Sequence, residues 1–384
     1  MYNNDLCFGR GGEFKIMIAT DIHEKPDITS DSGKAKSRDT FAFLNAALDT
    51  LKPDFVVLGG DNCTDFDSSK GLDGFYPIFE RVTRPMRDRG IPFTTVLGNH
   101  EHDIDDAYLE KIIDEYEKCD CCVIRNRAVG LSGKLDFYLT VRDGENDGLV
   151  LWFADSNNTV SRPDGHIVYD NVHPDQLAWY ERCADDIAAA NGGKAVPAVW
   201  FQHIPVPEIY ALLRPARLFE VPSCVRGHDH LNKNRYMKKD GCEGCLAEGP
   251  DIPFDNSGEF AAWKRTGDVK AAFFGHDHMN DFHGEYDGII MGQSKTGGFR
   301  AYTDGCRSGV RLITVNKNKP GEIHTRMYHF RDFGLKSTSL GPIEKRITDR
   351  QSTNMHIAAR AGLCVLITCA AAAGISLIMK LRKE

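Results

Sequence analysis

A chain of 384 residues, 41% hydrophobic and 27% charged, can bury one large core or two small ones. The formal net charge of −8, with no basic stripe to neutralise a phosphate backbone, excludes general nucleic-acid binding. An anionic substrate therefore needs local cations, and bound metals would supply them.

The opening stretch, MYNNDLCFGRGGEFKIMIAT, has no apolar run of export-signal length, so a cytoplasmic domain with reduced thiols is expected. EFKIMIATDIH reads as an apolar strand ending in ligand-type residues. SRDTFAFLNAALDTLK follows with helical spacing, Ser37 or Asp39 serving as cap. PDFVVLGGDN is again strand then polar tip. FYPIFERVTRPMRDRG reads as a helix interrupted at Pro85 and ended by Gly90, and PFTTVLGNHEH is the next strand and tip. Further strands are predicted at GLVLWFAD, AVPAVWFQH, DVKAAFFGHDH and GVRLITV, with a helix in HPDQLAWYERCADDIAAA. The pattern is that of an α/β domain with reactive residues at the carboxyl ends of strands.

Two cysteine clusters, KCDCC (Cys119, Cys121, Cys122) and GCEGC (Cys242, Cys245), have partial zinc-site spacing. No second CxxC or spaced histidine pair completes either, and ordinary free cysteines are expected.

The strand tips supply, in order, Asp21 and His23; Asp61; Asn99 and His100; His203; and a GHDH holding His276 and His278. Carboxylate, imidazole and amide oxygen without thiolate suit Zn, Mn or Fe. A single DxH or a lone histidine after a strand is common by chance; this many tips in one order, each behind an apolar strand, are not.

DIH, GGDN, GNHE, QH and GHDH together resemble the ordered signature of the calcineurin-like metallophosphoesterases over roughly residues 13 to 330. TGDVKAAFFGHDHMNDFHGEYDGI and FQHIPVPE are similar to its purple-acid-phosphatase-related branch. The resemblance implies a β-sandwich flanked by helices (αββα) and two divalent metals bridged by a carboxylate. Asp21, His23, Asp61 and His278 would hold the first metal, and Asp61, Asn99, His203 and His276 the second. Purple acid phosphatases place a tyrosinate three residues after the bridging aspartate; Thr64 stands there in this chain, so a colourless centre is expected and nothing demands ferric iron.

A metal pair lowers the pKa of water and clamps phosphoryl oxygens, which predicts phosphoester hydrolysis, first of monoesters. A phosphodiesterase is the alternative within enzymes, and a catalytically silent, membrane-tethered binding module the alternative outside them. His100, one residue past Asn99, is the expected acid for the leaving oxygen, oriented by Glu101; its plainer role would be to brace the turn.

Ala361 to Met379 run without a charge between Arg360 and KLRKE, which predicts a transmembrane helix. Basic residues flank both ends, so orientation is not decided by them. The expected organisation is a lead at 1–12, the metallophosphoesterase domain at 13–330, a linker at 331–356, an anchor at 357–380 and a basic tail at 381–384.

GHDH occurs twice, at 227–230 and 275–278. The second follows a run of strand character. The first follows FEVPSCVR, where Pro222 and Arg226 spoil a central strand, so His228 and His230 are expected in a loop as solvated or substrate-side residues. Arg214, Arg217, Arg226, Lys233 and Arg235 in the same insertion are either a solvated face or a contact for an extended anion.

Overall fold

The computed structural model describes residues 5–26, 28–228, 234–342, 344–345 and 351–381. His230, Lys233, Arg346, Arg350, Arg382 and Lys383 lie outside them.

Two mixed sheets face each other. One orders its strands Ile323–His329, Gly309–Asn316, Glu13–Ala19, Phe55–Leu58 and Phe93–Thr95; the other orders Leu6–Cys7, Phe137–Asp143, Asn146–Phe153, Ala198–Gln202, Val269–Phe274, Ile289–Gln293 and His283–Tyr286. The apolar runs are nearly continuous because these strands are covered on both sides. Side chains alternate across a strand, so Phe14, Ile16 and Ile18 point between the sheets, where they join Leu151, Phe153, Phe201 and Phe273. Met17 and Ala19 point the other way, into a layer with Phe43, Leu44, Phe75 and Ile112 from the helices. On the far sheet Trp152 and Trp200 face Trp179, Tyr180 and Trp263 of a second helical layer. This is the αββα sandwich expected from the sequence.

Parallel pairing positions the chemistry. Glu13–Ala19, Phe55–Leu58 and Phe93–Thr95 run parallel, as do Asn146–Phe153, Ala198–Gln202 and Val269–Phe274. Their carboxyl ends therefore emerge on one rim.

Several boundaries differ from expectation. The first helix spans Asp31–Leu51, capped by Ser30, which accepts the Gly33 N–H. Ser37 instead donates to Glu24 at 2.9 Å, and Asp39 accepts bonds from Ser337, Thr338 and Ser339. That clasp docks the start of the expected linker onto the domain. Leu72–Arg87 is one helix through Pro77 and Pro85; Pro85 falls in the last turn, where the backbone bond it forfeits ends little helix. Leu6 and Cys7, in the expected lead, pair with Val141 and Arg142 and so extend the larger sheet. The insertion after His203 is more than a loop: Leu213–Pro215, Arg235–Lys238 and Val225–Arg226 form a small antiparallel sheet.

Gln351–Leu381 is a helix. Its described side chains from 361 to 375 are exposed. Among the described residues no helix is long and apolar enough to cross a membrane. The transmembrane anchor expected at 357–380 is thus not supported.

Candidate metal centre

The tip residues sit where short turns reverse the chain off buried strands, and the backbone records it. Asp21, His23, Asp61 and His276 all have left-handed φ, at 53°, 48°, 52° and 72°. Non-glycine residues adopt this region rarely and at a cost, and such strain gathers at functional sites. The two rims press together. A Cβ on Gly275 would lie 2.2 Å from Thr20 Oγ1 and 2.9 Å from Asp21 Oδ2, and one on Gly98 would lie 2.2 Å from Asp61 Oδ1.

The donors converge as a result. His203 Nε2 lies 3.2 Å from Asp61 Oδ2 and 3.8 Å from Asp21 Oδ1. His278 Nε2 is 3.4 Å from Asp21 Oδ1 and 3.0 Å from His23 Nε2, and His23 Nε2 is 3.7 Å from Asp61 Oδ2. Three overlapping groups could each hold an ion: Asp21, His23 and His278; Asp21, Asp61 and His203; and His23, Asp61 and His100. Asp21, His23 and Asp61 each belong to two of them, so the groups share their donors.

The atoms offered have lone pairs to give. Asp21 Oδ1, Asn99 Oδ1, His203 Nε2 and His276 Nε2 are buried with no hydrogen-bond partner, a costly condition for polar atoms unless something else binds them. His203 Nδ1 pairs with the Gly59 carbonyl at 2.8 Å and His278 Nδ1 with the Tyr302 carbonyl at 2.8 Å. A carbonyl only accepts, so each Nδ1 carries a proton and each Nε2 is turned to the centre, the arrangement of metal-ligating histidines; against its burial, Asp61 and Asp21 push His203 up to about 10, so a cation there would displace the proton on its Nε2. Burial, reinforced by neighbouring imidazoles, holds His23 and His276 well below the usual histidine range and His278 down at about 4. Burial pushes Asp21 up to about 7 against the pull of His203. Asp61 stays well below the carboxylate range because His203 and His23 together outweigh its burial. Two carboxylates, an amide oxygen and imidazoles fit a pair of borderline divalent cations.

The orienting carboxylate is not the expected one. Glu101 is buried and accepts the backbone N–H groups of Asp61, Asn62 and Gly98, each at 2.8 Å, so it ties the GGDN and GNHE turns together and does not orient His100. Asp103 takes that place: its Oδ2 is 2.6 Å from His100 Nδ1. The i,i+3 spacing within HEHD was the available signal, since it puts both on one side of a short turn of 3₁₀-helix, Glu101–Asp103. His100 also donates its backbone N–H to Asp61 Oδ1 at 2.9 Å. Burial lowers its basicity, but Asp61 and Asp103 outweigh that and raise it.

The second GHDH lies at the centre and the first does not. His228 is half buried and its Nε2 meets Asp251 Oδ1 at 2.5 Å. Asp251 in turn lines the pocket over the donors, of about 160 Å³, together with Asn99, His100, Tyr169, Glu248 and Tyr302. Tyr169, Glu248, Asp251 and Tyr302 carried no local pattern that pointed here. The insertion's arginines take no part in that lining; Arg214 is forked onto Glu220 at 2.8 and 2.7 Å. Among the described residues neither cysteine cluster forms a metal-holding group.

This layout, strand-tip carboxylates and imidazoles around a shared aspartate on an αββα sandwich, is that of a phosphoesterase with a metal-dependent centre. The chain belongs to the calcineurin-like phosphoesterase family, whose pattern matches residues 14–232. The match stops short of His276 and His278, so the second GHDH joins the centre on the geometry above. Among its relatives, the chain is 25% identical over 341 residues to probable inactive purple acid phosphatase 29 of Arabidopsis thaliana, covering 82% of this chain and 79% of that one. It is 26% identical over 348 residues to probable inactive purple acid phosphatase 14 of the same plant, covering 82% and 78%. A purple acid phosphatase from yellow lupin, Lupinus luteus, superposes with a TM-score of 0.43 at 14% identity over 89% of this chain and 57% of that one. A dimetal phosphatase from Danio rerio gives 0.47 at 10% identity over 83% and 99%.

Proposed function

We propose that this protein hydrolyses phosphomonoesters at a two-metal centre held by Asp21, His23, Asp61, Asn99, His203, His276 and His278. The observation that supports it is the clustering of the Asp21, His23, Asp61, His203 and His278 donors, with unpartnered buried atoms on Asn99 and His276 in the lining of a pocket that also holds His100. Two divalent cations there would polarise the phosphoryl group and make hydroxide available near neutral pH.

The chain's own residues do the rest. Hydrolysis joins a water oxygen to phosphorus and breaks the ester P–O bond, and the departing oxygen takes up a proton. His100, its Nδ1 fixed by Asp103 and its side chain in the pocket lining, holds that proton, its basicity raised by the carboxylates beside it. Glu101 keeps the turns bearing Asp61 and Asn99 in register, and the Nε2 atoms of His203 and His278 keep their direction through the Gly59 and Tyr302 carbonyls. Thr64, buried where a tyrosinate would give colour, supports a colourless centre of Mn, Zn or Fe.

A second reading, a silent binding module, is favoured by the word inactive in the names of the Arabidopsis relatives. Against it stands the full donor set. The test is turnover of an aryl phosphate monoester and an aryl phosphate diester by purified protein loaded in turn with Mn, Zn or Fe, with metal content measured on the same samples. Faster monoester turnover is expected. Diester preference selects the phosphodiesterase, and two bound metals with no turnover select the silent module.

A further inference from the structure

The pocket over the donors has an unusual wall. Tyr302 stacks on His278, ring centroids 4.0 Å apart and planes 6° from parallel, while Tyr169 meets His276 edge-on at 4.5 Å. A phenol ring therefore stands against a ligand of each metal. The lining beside the rings includes the carboxyl groups of Glu248 and Asp251, and no lysine or arginine is among the described lining residues. This is a poor wall for a substrate with a second phosphate or a carboxylate. It is a good one for a cation, since ring faces and carboxylates both attract positive charge.

The wall is also rigid. Asn280 Oδ1 accepts the N–H groups of Ala247 and Glu248 at 2.8 and 3.0 Å, and its amide donates to the Glu248 carbonyl at 3.0 Å. Glu248 Oε1 accepts the Met279 N–H at 2.7 Å and its Oε2 lies 3.5 Å from the Tyr302 hydroxyl. The Asp251 N–H is bonded to Asp277, and His228 braces the Asp251 carboxylate. At about 160 Å³ the pocket falls below the roughly 300–1,000 Å³ of pockets for drug-sized ligands, which sets the scale at a phosphate and a short chain.

We propose that this wall selects phosphomonoesters of small amino alcohols, such as choline phosphate and ethanolamine phosphate, with the phosphate over the metal ligands and the ammonium between Tyr169, Tyr302, Glu248 and Asp251. The inference rests on the phosphomonoesterase reading and names its substrate class. Water's oxygen bonds to phosphorus, the P–O bond to the amino alcohol breaks, and the alcohol leaves with the proton.

The test compares choline phosphate with its uncharged isostere, 3,3-dimethylbutyl phosphate, using an aryl phosphate as reference and metal-loaded full chain. A kcat/KM at least about tenfold higher for choline phosphate is expected, with that ratio falling toward one in Asp251→Asn and Glu248→Gln. Calorimetry of the non-hydrolysed pair 3-(trimethylammonio)propylphosphonate and 4,4-dimethylpentylphosphonate reads the same selection without turnover, and without the variants should they fold poorly. Aryl phosphate turnover with no preference for the cation overturns this inference and spares the hydrolase. Absence of all turnover overturns the hydrolase, and the phosphonates then decide the wall alone. Equal affinity for the two, or binding of neither, overturns it.

Discussion

The two GHDH segments share four residues and have different tasks. The second follows Val269–Phe274, a strand paired in parallel on both sides, so its turn is thrust over the rim with His276 in left-handed backbone. Its glycine is the close contact with Thr20 and Asp21 of the opposite sheet. The first follows Val225–Arg226, a short edge strand of the small antiparallel sheet, and there a Cβ on the glycine would meet the Tyr236 ring at 2.6 Å. His228 consequently serves Asp251 in the pocket wall. A ligand motif is thus defined by the strand that delivers it and the surface its glycine touches, more than by its letters.

The largest effect should come from the second copy. His276→Ala or His278→Ala opens a coordination position, and at least about a 100-fold loss of activity together with lost metal is expected, read as metal per chain after dialysis. Full metal content in both variants would break the comparison at its root.

Glu101 sharpens it next, because the second copy can act only if the opposite turns hold their shape. Glu101→Ala leaves the buried N–H groups of Asp61, Asn62 and Gly98 without their acceptor, which should cost roughly 3 kcal/mol in denaturant unfolding. A variant of unchanged stability that lost only leaving-group dependence would return Glu101 to the role of orienting His100.

A control lies away from both copies, in the Asp39 clasp. Burial alone would raise this carboxyl, but the Ser337 and Ser339 hydroxyls and the Thr338 N–H hold it below its ordinary value of 3.8. Stability from a depressed carboxyl is present above 3.8 and disappears as pH falls through the lower folded value. Asp39→Asn should therefore be about 1–2 kcal/mol less stable than the parent at pH 6, and the gap should narrow at pH 3.5, measured by paired thermal melts. A gap that widened on acidification would contradict the sign.

The smallest effect belongs to the first copy. His228→Ala should leave metal content unchanged and alter KM by no more than about threefold, since it removes a brace from Asp251 and no ligand. Metal loss comparable to that of the second-copy variants would mean that both GHDH segments bind ions.

Much of this was legible beforehand where pattern and chemistry coincide. The apolar runs at 13–19, 55–58, 198–202 and 269–274 declared themselves because strands covered on both faces need no alternation, and the ligand types stood immediately behind them. Pro85 misled because a proline in a final turn costs little, and Asp39 misled because a capping residue type was engaged by the distant segment 337–339.

From the sequence alone came the alternation of strands and helices and the candidate donors Asp21, His23, Asp61, Asn99, His203, His276 and His278 behind apolar strands, since strand periodicity and donor chemistry are local properties of the chain; the αββα layering and the pairing of donors into two sets were what the family resemblance implied. Only the tertiary structure decided that His228 braces Asp251, that Asp103 and not Glu101 holds His100, and that Tyr169, Tyr302, Glu248 and Asp251 wall the pocket. Those residues meet across separations such as the 54 positions between Glu248 and Tyr302. Nothing in a linear pattern encodes such a meeting, because it is set by how two packed sheets bring their rims together.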